Sequence, residues 1–155
     1  DTPPEIVTIG AYDPEGDSTE NDGDAALALA DGDQETAWRT VCYGSRFMGG
    51  KRGTGLVVSL DQPAITRIGV DVVNGPYQLE FLTSSSEVIP ATFDGWDGKL
   101  GSTSFASSGA TVVSELPTTP VRHVLLLLNE IGADSNCSSN NPFRGGLGEV
   151  AIVAG

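Results

Sequence analysis

Residues 28–38 read Ala28-Leu29-Ala30-Asp31-Gly32-Asp33-Gln34-Glu35-Thr36-Ala37-Trp38. This is a tight turn rich in oxygen donors that runs directly into a tryptophan able to bury itself between two sheets. Calcium takes roughly 6–8 oxygens, mixing carboxylates with backbone carbonyls. Asp31, Asp33 and Thr36 can supply several such oxygens at one point. An ordinary Asp-Gly-Asp turn that binds no metal is the alternative.

Outward from this turn the chain reads as short strands. Glu5 to Tyr12 is a first strand. Asp13 to Asp24, with its acids among glycine, serine and asparagine, reads as a solvated loop, and Asp24 to Ala30 allows one or two helical turns. After Trp38 a glycine-rich loop runs to Gly55, followed by a strand at Leu56–Leu60. In Ile65–Val73 the residues Ile68, Val70 and Val72 share one face, a period of two. Tyr77–Thr83 alternates similarly, Pro90–Ser108 reads as turn-rich, and Ala110–Leu116 and Val121–Asn129 read as strands. The last of these is apolar on both faces, which suits a central position. A second long loop, Glu130–Gly146, precedes a final strand at Leu147–Ala154. About eight strands without a long helix predict an all-β sandwich or jelly roll formed as one domain over 1–155.

Composition narrows the function. A net charge of −13 leaves no basic footprint for nucleic acid. No apolar run approaches the ~20 residues of a membrane-spanning helix, so no direct membrane insertion is expected. The start at Asp-Thr-Pro-Pro reads as a linker end. His123, the one histidine, stands mid-strand among apolar residues and is expected to be buried and hydrogen-bonded. No nucleophile elbow or zinc-type Cys/His spacing occurs, and Gly44–Lys51 lacks the lysine and hydroxyl positions of a phosphate loop. The chain is therefore read as not an enzyme. Cys42 and Cys137 sit in polar, glycine-rich loops, and an extracytoplasmic disulfide between those loops is expected; two free thiols are the alternative.

The 28–38 segment resembles the hallmark of galactose-binding-like domains of the discoidin (coagulation factor 5/8 type C) class and of related carbohydrate-binding modules, a pattern of the form A-x-D-G-D/N-x-x-T-x-W. The class usually also carries a glutamate at the start of its last strand, matched by Glu149 in Gly148-Glu149-Val150. The resemblance implies a structural calcium held by the carbonyls of Ala28, Asp33 and Thr36 and the side chains of Asp31, Thr36 and Glu149. The ion would tie the early loop to the final strand, with Trp38 as core. A wider set, Ala37-Trp38-Arg39-Thr40, Tyr43-x-Ser45, Gly49-Gly50-x-x-Gly53-x-Gly55-Leu56 and Arg144-Gly145-Gly146, resembles the extracytoplasmic C-terminal domain of actinobacterial MviN/MurJ-like lipid II flippases. That resemblance implies a domain excised from a larger envelope protein, beside peptidoglycan or its precursors.

Charge is unevenly distributed. No acid occurs from Thr36 to Leu60, and five of the eight basic residues, Arg39, Arg46, Lys51, Arg52 and Arg144, fall in the two long loops. With Tyr43, Phe47 and Phe143 beside them, one positive, aromatic-bearing patch is expected, unless the arginines pair with neighbouring acids and the rings pack the loops down. These eight residues are the candidate ligand contacts. The function read from them is a non-catalytic, extracytoplasmic module that is a monomer and binds a cell-wall glycan or peptidoglycan-related ligand through loops 39–54 and 130–146. The rival is a protein-interaction or spacer domain of a membrane-anchored envelope protein. The first expects an open groove with Tyr43 or Phe47 exposed, the second buried rings and a flat loop end.

Overall fold

The computed structural model describes residues 3–16, 20–33, 35–106 and 111–153. Among these are eleven strands: β1 (Ile6–Tyr12), β2 (Ala37–Arg39), β3 (Thr54–Ala64), β4 (Arg67–Val72), β5 (Tyr77–Ser84), β6 (Gly98–Ala106), β7 (Thr111–Val113), β8 (Val121–Glu130), β9 (Gly132–Ala133), β10 (Phe143–Arg144) and β11 (Gly146–Val153). A five-stranded sheet has the order β1-β3-β8-β5-β6, and a four-stranded sheet the order β2-β11-β4-β7. All the strand pairings are antiparallel. The two sheets close on one core, to which Leu56 and Val58 of β3, Leu126 of β8, Phe81 of β5, Val70 of β4 and Leu147 of β11 contribute. The all-β sandwich is as expected.

β8 lies between β3 and β5, and both its faces are covered. Val124, Leu126 and Leu128 enter the inter-sheet core. Leu125 and Leu127 face outward onto a second cluster with Tyr12, Phe93 and Trp96. Phe93 and Trp96 belong to the β5–β6 connection, which folds over the outer face of the sheet. Trp96 donates through Nε1 to the Tyr12 hydroxyl at 3.0 Å, and Tyr12 donates to the Pro90 carbonyl at 2.6 Å. His123 is buried, with Nδ1 2.7 Å from the Ser59 hydroxyl and Nε2 3.2 Å from the Glu87 carbonyl.

Three local expectations are corrected. Pro90–Ser108 is not turn-rich throughout, because Gly98–Ala106 forms the edge strand β6. There are eleven strands rather than about eight, the surplus including the two-residue strands β9 and β10 inside the second long loop. The acidic segment after β1 is not simply solvated: Asp13 and Glu20 are only 3% and 1% exposed. The expected helical turns are present as a 3₁₀ segment at Asp22–Ala28, whose Ala25 and Ala28 are buried. Ala110 and Ala154, expected at strand ends, lie outside the described residues.

Candidate functional site

The two long loops meet at the end of the sandwich where β8 finishes and β3 begins. The Thr40 N–H donates to the Gly145 carbonyl at 3.0 Å, and the Gly145 N–H returns to Thr40 Oγ1 at 3.1 Å. Tyr43 and Phe143 exchange backbone hydrogen bonds at 2.7 and 3.0 Å. The Cys42–Cys137 disulfide crosses beside this ladder, with Cα atoms 5.9 Å apart. Gly145 is required here, since a Cβ would come 2.7 Å from Ile131 Cγ2 and from Leu128 Cδ1. The loops are thus held by one covalent bond and a short backbone ladder.

The basic residues do not form a bare positive patch, because acids meet them. Arg144 binds Asp134 through Nε and a terminal nitrogen, each at 3.0 Å. Asp134 is held below the usual carboxylate range. Burial opposes its charge, but the Asn136 N–H, the Arg144 guanidinium and nearby Arg39 together outweigh burial. Arg46 Nε lies 3.3 Å from Glu130 Oε2. The backbone N–H of Arg52 donates to Glu15 at 2.6 Å, and its guanidinium lies over the Phe93 ring, 3.9 Å from Asp94.

Lys51 anchors a buried network. Its Nζ lies 3.0 and 3.2 Å from the two oxygens of Asp13 and donates to the Tyr43 hydroxyl at 2.9 Å. Tyr43 in turn donates a short hydrogen bond to Glu20. Burial, first of all, lifts Glu20 above the usual carboxylate range. The Tyr43 hydroxyl and Lys51 oppose this, while the Asp13 charge reinforces it. Sequence reasoning missed Asp13, Glu20 and Asp134. The acid-free run from Thr36 to Leu60 carried the only signal, since its cations need partners from elsewhere.

The three rings differ. Tyr43 and Phe143 are half-buried and pack against the inter-sheet core. Phe47 is 51% exposed, on the loop between Arg46 and the 3₁₀ turn at Met48–Gly50.

A second constellation lies on the Asp31 turn. A bulge interrupts β11 between Gly148 and Ala151, and within it Glu149 adopts φ 51°, a left-handed conformation uncommon for a side-chain-bearing residue. The bulge turns the Glu149 carboxylate toward the turn, where Oε1 accepts from the Asp31 and Gly32 N–H groups at 3.2 and 3.0 Å. The Ala30 N–H donates to the Val150 carbonyl at 3.0 Å, clamping the turn to β11. The Asp31 carboxyl accepts the Asp33 N–H at 2.9 Å and lies in hydrogen-bonding reach of Glu149 and Thr36. The Asp33 N–H is also the main reason Asp31 is held below the usual carboxylate range.

Asp31, Thr36 and Glu149 thus converge as side chains, while Asp33 turns its carboxylate to the Glu35 N–H and leaves its carbonyl near Thr36. Among the described residues no cluster of three or more acidic, histidine or cysteine side chains converges. Two carboxylates beside hydroxyl and carbonyl oxygens nevertheless suit a hard cation that draws most of its donors from the backbone. Trp38 is fully buried and donates to the Glu20 carbonyl at 3.0 Å, a core residue as expected.

No family model and no curated protein matches this sequence. Among solved structures, the chain is similar to a truncated AlyQ with CBM32 and alginate lyase domains, at 17% identity and TM-score 0.54, covering 96% of this chain and 32% of that one. It is similar to the arabinofuranosyltransferase AftD from Mycobacteria, at 18% identity and TM-score 0.57, covering 97% of this chain and 11% of that one. A pectin binding carbohydrate binding module aligns at 18% identity and TM-score 0.50, covering 97% of this chain and 91% of the module. The chain therefore spans about a third of the first structure (32%) and about a tenth of the second (11%). At these identities the likeness shows the fold alone, an antiparallel β-sandwich.

Proposed function

We propose that this chain is a non-catalytic, extracytoplasmic binding module that recognises a cell-wall glycan or peptidoglycan-related ligand through loops 39–54 and 130–146. The observation that carries the reading is Phe47, an exposed ring on loops already fixed by the Cys42–Cys137 disulfide and the Thr40–Gly145 ladder. Preorganised loops lose less freedom on binding, and an aromatic face suits the apolar face of a sugar. The sandwich fold, shared with a pectin binding module, supports the same reading. The disulfide supports a location outside the cytoplasm. Asp13 and Glu20 are enclosed by Lys51 and Tyr43, out of reach of a substrate, which favours binding over catalysis.

The motif resemblance to flippase outer domains rests on sequence alone and makes envelope glycans the first probes to try. The test is sedimentation with purified peptidoglycan and an array of envelope glycans. Retention of the wild type and its loss in Phe47→Ala would support the module. The half-burial of Tyr43 and Phe143 favours the rival, a protein-interaction or spacer domain, and binding to no glycan fraction would select it.

The Asp31 corner is proposed as a structural calcium site, with Asp31, Thr36 and Glu149 as side-chain donors and Ala28, Asp33 and Thr36 as carbonyl donors. The ion would hold the turn to the β11 bulge and take no part in ligand chemistry.

A further inference from the structure

A cleft of about 350 Å³ opens at the other end of the sandwich. The stitched loops follow the end of β8 at Glu130, whereas this cleft meets its beginning at Val121, beside the end of β5 and the start of β6. Thr83, Asp97 and Thr118 contribute polar groups to it, while Leu100 and Val121 give it an apolar side. The volume lies in the range of small-ligand sites.

Two of its polar groups are unused by the fold. The Thr83 hydroxyl makes no hydrogen bond among the described residues and is not sealed in the core, so it is open to the cleft. The Asp97 carboxylate is likewise without an ionic or hydrogen-bonding partner among the described residues, although its backbone N–H is fixed to the Thr83 carbonyl at 3.1 Å. Gly98 leaves the floor open, since a Cβ there would come 2.2 Å from Thr83 Oγ1. The neighbouring ammonium of Lys99 is already engaged, 3.3 Å from Glu80.

From these observations we infer a second binding site, for an uncharged, hydroxyl-rich sugar residue. A carboxylate accepts two adjacent hydroxyls, a threonine hydroxyl both gives and accepts, and the apolar side meets a sugar's C–H face. The unpaired Asp97 and the net charge of −13 disfavour anionic ligands. The inference stands independently of the Phe47 reading, because it uses other residues at the other end of the molecule.

The experiment is a ¹H–¹⁵N titration of the whole chain with galactose, glucose and N-acetylglucosamine, with galacturonate as the charged comparison. Saturable shifts at residues 83–85, 97–99 and 118–119 for a neutral sugar are expected. Asp97→Asn, at an exposed position, should weaken that binding about tenfold by removing a charged acceptor. Phe47→Ala should leave these shifts unchanged, so failure of the loop-end reading is seen separately. No saturable shift with any neutral sugar at roughly 50 mM, far above a millimolar Kd, would overturn the site. So would equal affinity in Asp97→Asn, and tighter binding of galacturonate than of galactose would overturn the ligand class.

Discussion

The stitched loop end and the Asp31 corner handle negative charge in opposite ways. At the loop end Asp13, Glu20, Asp134 and Glu130 are each answered by a side chain of the same chain, respectively Lys51, Tyr43, Arg144 and Arg46. At the corner two carboxylates, Asp31 and Glu149, stand side by side and are met, among the described residues, by backbone N–H groups and Thr36. The first region is electrostatically complete in the polypeptide. In the second, the proposed cation would offset two adjacent negative charges. A strongly acidic protein can therefore hold a basic-looking loop segment without presenting a cationic surface.

The sharpest way to break the first region is to remove its staple. Cys42 and Cys137 are separated by 95 residues, and opening a loop of that length costs about 4–5 kcal/mol in the chain-entropy model. Reduction, or Cys42→Ala with Cys137→Ala, should lower the unfolding free energy by that order in denaturant titrations. Next comes Lys51→Met, which strands Asp13, whose side chain is 1% exposed, at a cost of about 3 kcal/mol or more.

The corner should respond instead to metal. Calcium at about 100 times its Kd should add roughly 2.7 kcal/mol to the wild type, read as a rise in Tm that chelator reverses. Glu149→Gln should abolish the rise; a wild type indifferent to both treatments would leave the corner as a plain turn.

The smallest effects separate the acids within the loop end. The folded-state pKa of Asp134 is depressed, so its contribution is present above the ordinary carboxylate value and fades as pH falls through the lowered one. Glu20 is raised, so stability falls as pH climbs from the ordinary value to the raised one. Asp134→Asn and Glu20→Gln should therefore change the pH profile of Tm in opposite senses, the first below the ordinary carboxylate range and the second above it.

Much of the fold was legible in short-range pattern. The period of two in Ile68, Val70 and Val72, and the double-faced apolar run of β8, each follow from where side chains point along a strand. β6 was hard to read because its first five residues, Gly98-Lys99-Leu100-Gly101-Ser102, include no β-branched or aromatic residue, and pairing with β5 is what makes them a strand. Of the candidate contacts, Tyr43 and Phe143 lie together on the backbone ladder between the loops, but their burial depends on the inter-sheet core. The partners Asp13 and Asp134 lie 38 and 10 residues from the cations they meet. An acid-rich loop gives no local sign of which carboxylate turns inward. The Glu149 bulge was equally silent, since nothing in Gly-Glu-Val announces a positive φ.

The two apolar clusters on either side of β8 have an optical consequence. The chain has two tryptophans, Trp38 in the inter-sheet core beside Glu20 and Trp96 in the outer cluster, edge-on to Tyr12 at 5.6 Å. A Trp38→Phe chain emits only from the outer layer, and a Trp96→Phe chain only from between the sheets. The molecule thus carries an independent fluorophore for each face of its central strand.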